Sequence, residues 1–285
     1  MPKLAIVTDS VACLPRELVE RYGIKIVPVN LYFGDKIYRD WVDITPSQAY
    51  QLFLKDPTAF KTSGINPADC LEAYRQVSNN SNGVICVTIS SKLSMVHDSA
   101  LKAKERARGE LPQNSIEVVD SKTATAAEGF VALAAARAVE AGKSLAEVVE
   151  VAEEVRDKVC VVALMDTIRY VYRSGRIPKI AAKAGSMLNI KPVLAISSGS
   201  VRFKGAVRNR EHGVERVIKI TRDRVGKRLV HMAVMHAYAP DDAEKLKERV
   251  SAEFNCAELW ITEFSPVMGY SCGTGTLGLA FYPED

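Results

Sequence analysis

Apolar and polar positions along this chain fall into short, well-separated blocks. Leu4 to Val7 is an apolar run that meets the polar Thr8-Asp-Ser10, the pattern of a buried strand ending in a loop. Leu14-Pro15 then opens a helix that runs to Tyr22 and stops at Gly23, because proline suits a first helical turn and glycine the left-handed position after the last one. Ile24 to Phe33 predicts a second strand. Its Pro28 has no amide donor, so the strand belongs at an edge or carries a bulge. Gly34-Asp35 predicts a turn. Thr45-Pro-Ser-Gln48 is a capping box with proline at the first helical position, which starts a helix. Phe60 to Ile65 is extended and polar, and Asn66-Pro67 caps a third helix reaching Gln76.

The same rhythm continues. Val84 to Ile89 is β-rich and follows the turn residues Asn79-Asn-Ser-Asn-Gly83. Ser90 and Ser91 lead to Ser94, which stands as N-cap of a helix from Met95 to Arg108. Ile116 to Val119 predicts a strand, and Thr125 to Ala141 an alanine-rich helix ended by Gly142. Ser144-Leu-Ala-Glu147 is a second capping box, opening a helix to Lys158. Strands alternating with helices predict a parallel sheet covered on both faces. From Val159 the pattern changes. Strand Val159 to Met165 precedes short helices at Thr167 to Arg173 and Ile180 to Met187. Val193 to Ile196 and Val201 to Phe203 flank Ser197-Ser-Gly-Ser200 as a hairpin. A helix from Arg210 to Arg224, a strand Leu229 to Ala237, a helix from Pro240 to Phe254, and strands Leu259 to Glu263 and Leu277 to Phe281 complete the chain. The expected architecture is α/β in two domains: a parallel-sheet domain over 1–158 and an α+β domain over 159–285.

Composition narrows the function classes. The 285 residues are 47% hydrophobic and 25% charged, with a net charge of +4. These are values of an ordinary globular chain, without the concentrated basic face of a nucleic-acid binder. Six scattered cysteines form no CxxC pair, which excludes a zinc ribbon or thioredoxin-like motif. The opening Met1-Pro-Lys-Leu-Ala-Ile-Val is no secretory signal, and no apolar run approaches the ~20 residues of a membrane span. A reduced, cytoplasmic protein is expected.

Few local strings carry chemistry. Gly273-Thr-Gly-Thr-Leu-Gly278 spells GxGxxG, but only Leu279 to Asp285 follow it. The dinucleotide fingerprint needs a helix there, so these glycines are expected to let the backbone turn tightly or approach a neighbour closely. His231 and His236 share a strand at an odd separation and point to opposite faces, against a shared metal. Ser91, His97 and Asp98 offer a speculative triad, without a GxSxG elbow. The loop at Ser94 is an ordinary capped strand–helix connection or an anion seat made of hydroxyls and free amides. It lacks a phosphate-binding lysine or glycine-rich loop, so a carboxylate fits better. Arg173 and Arg176 flank a glycine, either as cations at a helix C-terminus or as a planar fork for a carboxylate. Arg202, Lys204, Arg208 and Arg210 form a solvated face or a docking surface.

Taken together, these pieces resemble the DegV family. The likeness runs through Ile6-Val-Thr-Asp-Ser10, Phe33-Gly-Asp35, Lys61-Thr-Ser63, Thr88-Ile-Ser-Ser-Lys-Leu-Ser94, Val119-Asp-Ser121, Ser174-Gly-Arg-Ile177, Asn189-Ile-Lys-Pro192 and Gly273-Thr-Gly-Thr-Leu-Gly278, in that order. The resemblance implies a bacterial fatty-acid-binding protein that is not itself an enzyme and needs no cofactor. It would hold one long-chain fatty acid in a buried tunnel between the domains and present it to a separate fatty acid kinase, for phospholipid synthesis. Carried over, Thr62, Ser63 and Ser94, with the Met95 amide, would bind the carboxylate. Arg176 would join that polar network, and Arg208 would dock the kinase. Two departures stand out. The family's Leu-Ser-Gly-Thr is Leu93-Ser-Met-Val96 here, which brings the Met95 side chain near the entrance. Ser271 replaces a histidine, keeping a hydrogen-bond donor but no charge. The competing readings are a phosphotransfer or hydrolase enzyme and a regulatory binder of another carboxylate metabolite.

Overall fold

The structure is a computed structural model that describes residues 3–167, 169–176 and 190–284. In chain order its first elements are β1 (Leu4–Asp9), a 3-10 turn (Ser10–Ala12), α1 (Arg16–Tyr22), β2 (Lys25–Val27), β3 (Asn30–Phe33), β4 (Lys36–Arg39), α2 (Pro46–Lys55), β5 (Phe60–Ser63) and α3 (Pro67–Ser78). There follow β6 (Gly83–Thr88), α4 (Val96–Glu110), β7 (Ser115–Asp120), α5 (Ala126–Glu140) and α6 (Leu145–Lys158). The remainder comprises β8 (Cys160–Leu164), α7 (Arg169–Ser174), β9 (Lys191–Ser197), β10 (Ser200–Val207), α8 (Arg210–Val225), β11 (Val230–His236), α9 (Pro240–Glu253), β12 (Cys256–Glu263), α10 (Pro266–Cys272) and β13 (Leu277–Pro283).

Three sheets result. One is four-stranded and wholly parallel, in the order β2-β1-β6-β7. Its central strand β6 is buried at every position, as a parallel strand covered on both faces should be. The helix pairs α3–α4 and α5–α6 pack on it. Helix α5 has twelve buried residues in fifteen. Gly129 lets it approach the 3-10 turn, since a side-chain carbon there would stand 2.5 Å from the Ala12 carbonyl. The second sheet is six-stranded and mixed, in the order β10-β9-β8-β13-β11-β12. Only its β11–β12 pair is parallel. The largest apolar core runs from one sheet to the other, joining Val7, Val87 and Phe130 to Val161, Ile196 and Ala280.

The third sheet, β4-β3-β5, is small and antiparallel. Here the expectation of one strand over Ile24 to Phe33 is corrected. Pro28 breaks the run, so β2 ends on the edge of the parallel sheet and β3 becomes the centre of a separate one. Both capping boxes form, at Thr45 and at Ser144. The hairpin at Ser198-Gly199 turns with both residues at positive φ, 50° and 79°. The start of α4 moves by one residue. Its N-cap is Met95, and the Ser94 hydroxyl only accepts the Val96 amide at 3.4 Å. Helix α10 and strand β4 were not expected. The helix foreseen over Ile180 to Met187 lies outside the described residues.

Candidate functional site

A cavity lies between the parallel sheet and the mixed sheet, with about 1070 Å³ of unfilled space including its open mouth. Its walls are apolar. Val11 and Ile89 come from the ends of the parallel strands, Val161, Ala163, Leu194 and Ile196 from the mixed sheet, and Val267, Met268 and Cys272 from α10. Strand alternation explains the second group, because every other residue of β8 and β9 points the same way. Cys272 is fully buried and its thiol is pushed up to about 12 by burial, so it acts as a small apolar residue rather than a nucleophile.

Polar groups interrupt this apolar lining. Thr62, Ser63, Ser94, Ser174, Arg176 and Ser271 all line the cavity. Thr62 and Ser63 end β5, and Gly64 follows them directly. A side-chain carbon on Gly64 would stand 4.0 Å from the Ser94 hydroxyl and 3.9 Å from Val96, which places the end of β5 beside the start of α4. Helix α7 stops at Ser174 because Gly175 takes a left-handed φ of 69°. That turn returns Arg176 toward α4, where its Nε lies 3.5 Å from the Leu93 carbonyl and its Nη1 donates to Ser174 at 2.6 Å. The arrangement sets hydroxyl donors and one cation in the lining of an apolar space.

Several sequence expectations meet a different geometry. The Met95 side chain is 64% exposed and is not among the cavity residues, so it does not narrow the entrance. The helix N-terminus after Thr62-Ser63, expected to converge with that of α4 on one anion, is not part of the cavity wall: α3 starts beyond Asn66, whose side chain caps it through Asp69. The Ser91, His97 and Asp98 triad is not assembled. Ser91 donates to Asp120 at 2.6 Å, whereas His97 pairs its Nδ1 with Thr88 at 3.0 Å and is half-buried. Arg208 is exposed, just beyond β10. Gly273 and Gly275 have φ of 80° and 81° and pack against Tyr170 and the Asp166 carboxylate; a strand, β13, follows them. No group of three or more His, Cys, Asp or Glu among the described residues is placed to hold a metal. No described helix is long and apolar enough to cross a membrane.

Sequence reasoning missed a layer of buried carboxyls next to the cavity. Asp9 accepts the amides of Val11 at 2.9 Å and Ile89 at 3.0 Å, both cavity residues. Burial raises its carboxyl, while hydrogen bonds from Ile89, Glu128 and Val11 pull it back; burial raises Glu128 strongly, and Asp9 beside it adds to that rise. Thr8 donates to Glu128 at 3.4 Å. Asp40 is fully buried and takes the Ser265 hydroxyl at 2.6 Å. The Thr8-Asp-Ser10 run, which ends β1, was the signal for this layer, and in sequence it has the look of an ordinary loop.

With this geometry in place, comparison with known proteins gives the class. The model described as "Uncharacterised protein, DegV family" matches residues 3–284. A DegV domain-containing protein of Streptomyces coelicolor is 36% identical over 279 residues, 97% of each chain. Another, from Clostridium acetobutylicum, is 30% identical over 287 residues and all of each chain. The chain belongs to the DegV family. Among solved structures it is similar to one described as fatty acid binding of a DegV family protein from Thermus thermophilus, with a TM-score of 0.90 at 29% identity over all of both chains. DegV of Bacillus subtilis, described as a fatty acid binding protein, also gives 0.90, at 25% identity over all of both chains. A stearic acid-binding protein from Eubacterium ventriosum gives 0.89 at 25%, covering 99% of this chain and 98% of that one.

Proposed function

We propose that this protein binds a long-chain fatty acid, with the acyl chain in the cavity and the carboxylate at its polar mouth. The observation that carries this reading is the combination of an apolar-walled cavity with Thr62, Ser63, Ser94, Arg176 and Ser271 gathered in its lining. Each buried methylene contributes about 0.8 kcal/mol, so the chain dominates affinity. The hydroxyls and Arg176 fix the end at which the carboxylate sits; Met95, outside the cavity lining, is not part of this set. The DegV structures of T. thermophilus, B. subtilis and E. ventriosum, described as fatty-acid or stearic-acid binding, support it.

In this reading the protein is a carrier and supplies no catalytic group. The carboxylate at the mouth is offered to a separate fatty acid kinase in the cytoplasm, with exposed Arg208 on the docking face. The division into units of 1–158 and 159–285 puts the ligand at their seam, where pockets commonly form. Organic extracts of the purified protein, analysed by mass spectrometry, should contain about one long-chain fatty acid per chain. A clean extract, together with no change in melting temperature on adding fatty acids, would overturn the proposal.

A further inference from the structure

Residues 30–63 stand apart from the two large sheets. They contain β3, β4, α2 and β5, their strands pair only with one another, and they have a small core of their own around Leu31, Ile44, Ala49, Phe53 and Phe60. The chain enters this unit past Pro28 and leaves it at Gly64. The unit supplies Thr62 and Ser63 to the cavity wall. Three side-chain hydrogen bonds tie it to consecutive positions of the mixed-sheet half. Ser47 donates to Glu263 at 2.7 Å, Tyr50 donates to the Phe264 carbonyl at 3.0 Å, and Ser265 donates to Asp40 at 2.6 Å.

Two of those three ties use a carboxylate in a place that disfavours charge. Asp40 Oδ1 and Glu263 Oε1 are sealed from water without a well-formed hydrogen bond. A buried charge lacking its full set of donors is costly, so these ties close the unit over the cavity without sealing it firmly. We propose that residues 30–63 form a hinged flap over the cavity, and that Asp40, seated on Ser265, is the latch that sets how readily the flap opens. The apolar contacts of Phe53 and Phe60 with Tyr170 and Tyr270, and Arg16 lying over Trp41, hold it down in the absence of the latch. Opening carries Thr62 away from Ser94, so a bound head group favours closure and loss of the head group favours release.

The groups that face Asp40 set the sign of its pH dependence. They are the hydroxyls of Ser265 and Ser10, the Trp41 amide, the Asp9 carboxyl, the Cys13 thiol and the Tyr50 phenol. Burial pushes the Asp40 carboxyl from 3.8 up to about 6, the three donors pull it back, and Asp9 adds to the rise. An open flap returns Asp40 to water and to its ordinary value. The closed state therefore binds the proton more firmly. Closure is favoured at low pH, and this advantage is lost as pH rises through about 6. Glu263, raised by burial in the same sense, acts on the second tie.

Hydrogen exchange on the ligand-free protein tests the flap without reference to any ligand. Amides of residues 30–63 should exchange as one unit, faster than β8 and β9. After correction for intrinsic rates, their opening equilibrium should rise about tenfold from pH 5 to pH 7.5, a factor of ten for each pH unit below the closed-state value. Asp40→Asn should remove most of that rise and make opening at pH 7.5 at least about tenfold rarer. Ser265→Ala should make it more frequent, and this variant decides the matter if Asp40→Asn fails to fold. Glu263→Gln should leave the Asp40 part of the rise in place. Opening that ignores both pH and these two variants, or that spreads equally over β8 and β9, would overturn the proposal. That the flap admits a fatty acid rests on the function proposed above. Stopped-flow release of a fluorescent fatty acid should follow the same order of variants. A flap that opens as described in a protein that binds no fatty acid would reassign the ligand and leave the latch standing.

Discussion

Gly64 and Ser94 meet in the cavity wall, where a side-chain carbon on Gly64 would stand 4.0 Å from the Ser94 hydroxyl. Thirty positions of chain separate them, including α3 and β6. Their meeting brings the end of β5, with Thr62 and Ser63, against the start of α4, and Arg176 arrives from a third direction through Leu93.

Ser94→Ala removes one hydroxyl from that group. A hydrogen bond to a charged acceptor contributes about 1.5–3 kcal/mol, so affinity for a fatty acid should fall by roughly ten- to a hundredfold in a fluorescence titration. Affinity for the matching fatty alcohol should hardly change, because the apolar walls are untouched. Equal losses for acid and alcohol would show that Ser94 does not face the head group.

Ala163 lines the cavity from β8 and is 6% exposed. Ala163→Phe should fill part of the space reserved for the chain. Long chains should then bind more weakly than short ones, reversing the usual gain of about 0.8 kcal/mol per methylene. A chain-length series on wild type and variant measures this directly.

Gly269 in α10 sits against the ring of Tyr50, and a side-chain carbon there would collide with the ring. The ring has little room to retreat, since its hydroxyl donates to the Phe264 carbonyl at 3.0 Å and the residue is 1% exposed. Gly269→Ala should cost about 1–3 kcal/mol through overpacking, read as a lower midpoint in thermal or urea unfolding. An unchanged midpoint would mean that α2 and α10 are loosely packed.

Glu258 predicts an acid-dependent contribution to stability. Burial alone would raise its carboxyl, but hydrogen bonds from His231 at 2.6 Å and from Arg137 at 2.8 Å hold it down to about 2. A folded-state value below the ordinary 4.5 gives stability that is complete above that value and is lost as pH falls toward about 2. The contribution is on the order of 3 kcal/mol. Urea unfolding of wild type and Glu258→Gln between pH 5 and pH 2 should converge as the pH falls. A constant gap across that range would contradict it.

Local signals in the sequence carried most of the fold. Capping boxes at Thr45 and Ser144, the glycines after Tyr22 and Ala141, and the serine-glycine hairpin each depend on neighbours a few residues away. The small sheet was hidden because β3 pairs with β5 across about thirty residues, and no local pattern records that. Pro28 was noticed, but whether it bulges a strand or ends one depends on which sheet receives the next residues. Helix α10 is seven residues with no side-chain cap, too short to show a period. The hydroxyls of the site were legible through family motifs, whereas its walls were not. Val11, Ala163, Ile196 and Met268 are ordinary apolar residues until the fold gathers them around one space. Asp40 lies between Arg39 and Trp41, three positions before Asp43, a context that looks like exposed loop, and the packing of Ser265 against it shows otherwise.

The most direct test compares two ligands that differ only at the head, a long-chain fatty acid and its alcohol, by equilibrium binding to the delipidated wild-type protein. The account predicts saturable one-to-one binding of both, with the acid tighter by at least about tenfold, corresponding to one charged hydrogen bond. Equal affinities, or no binding of either, would contradict it.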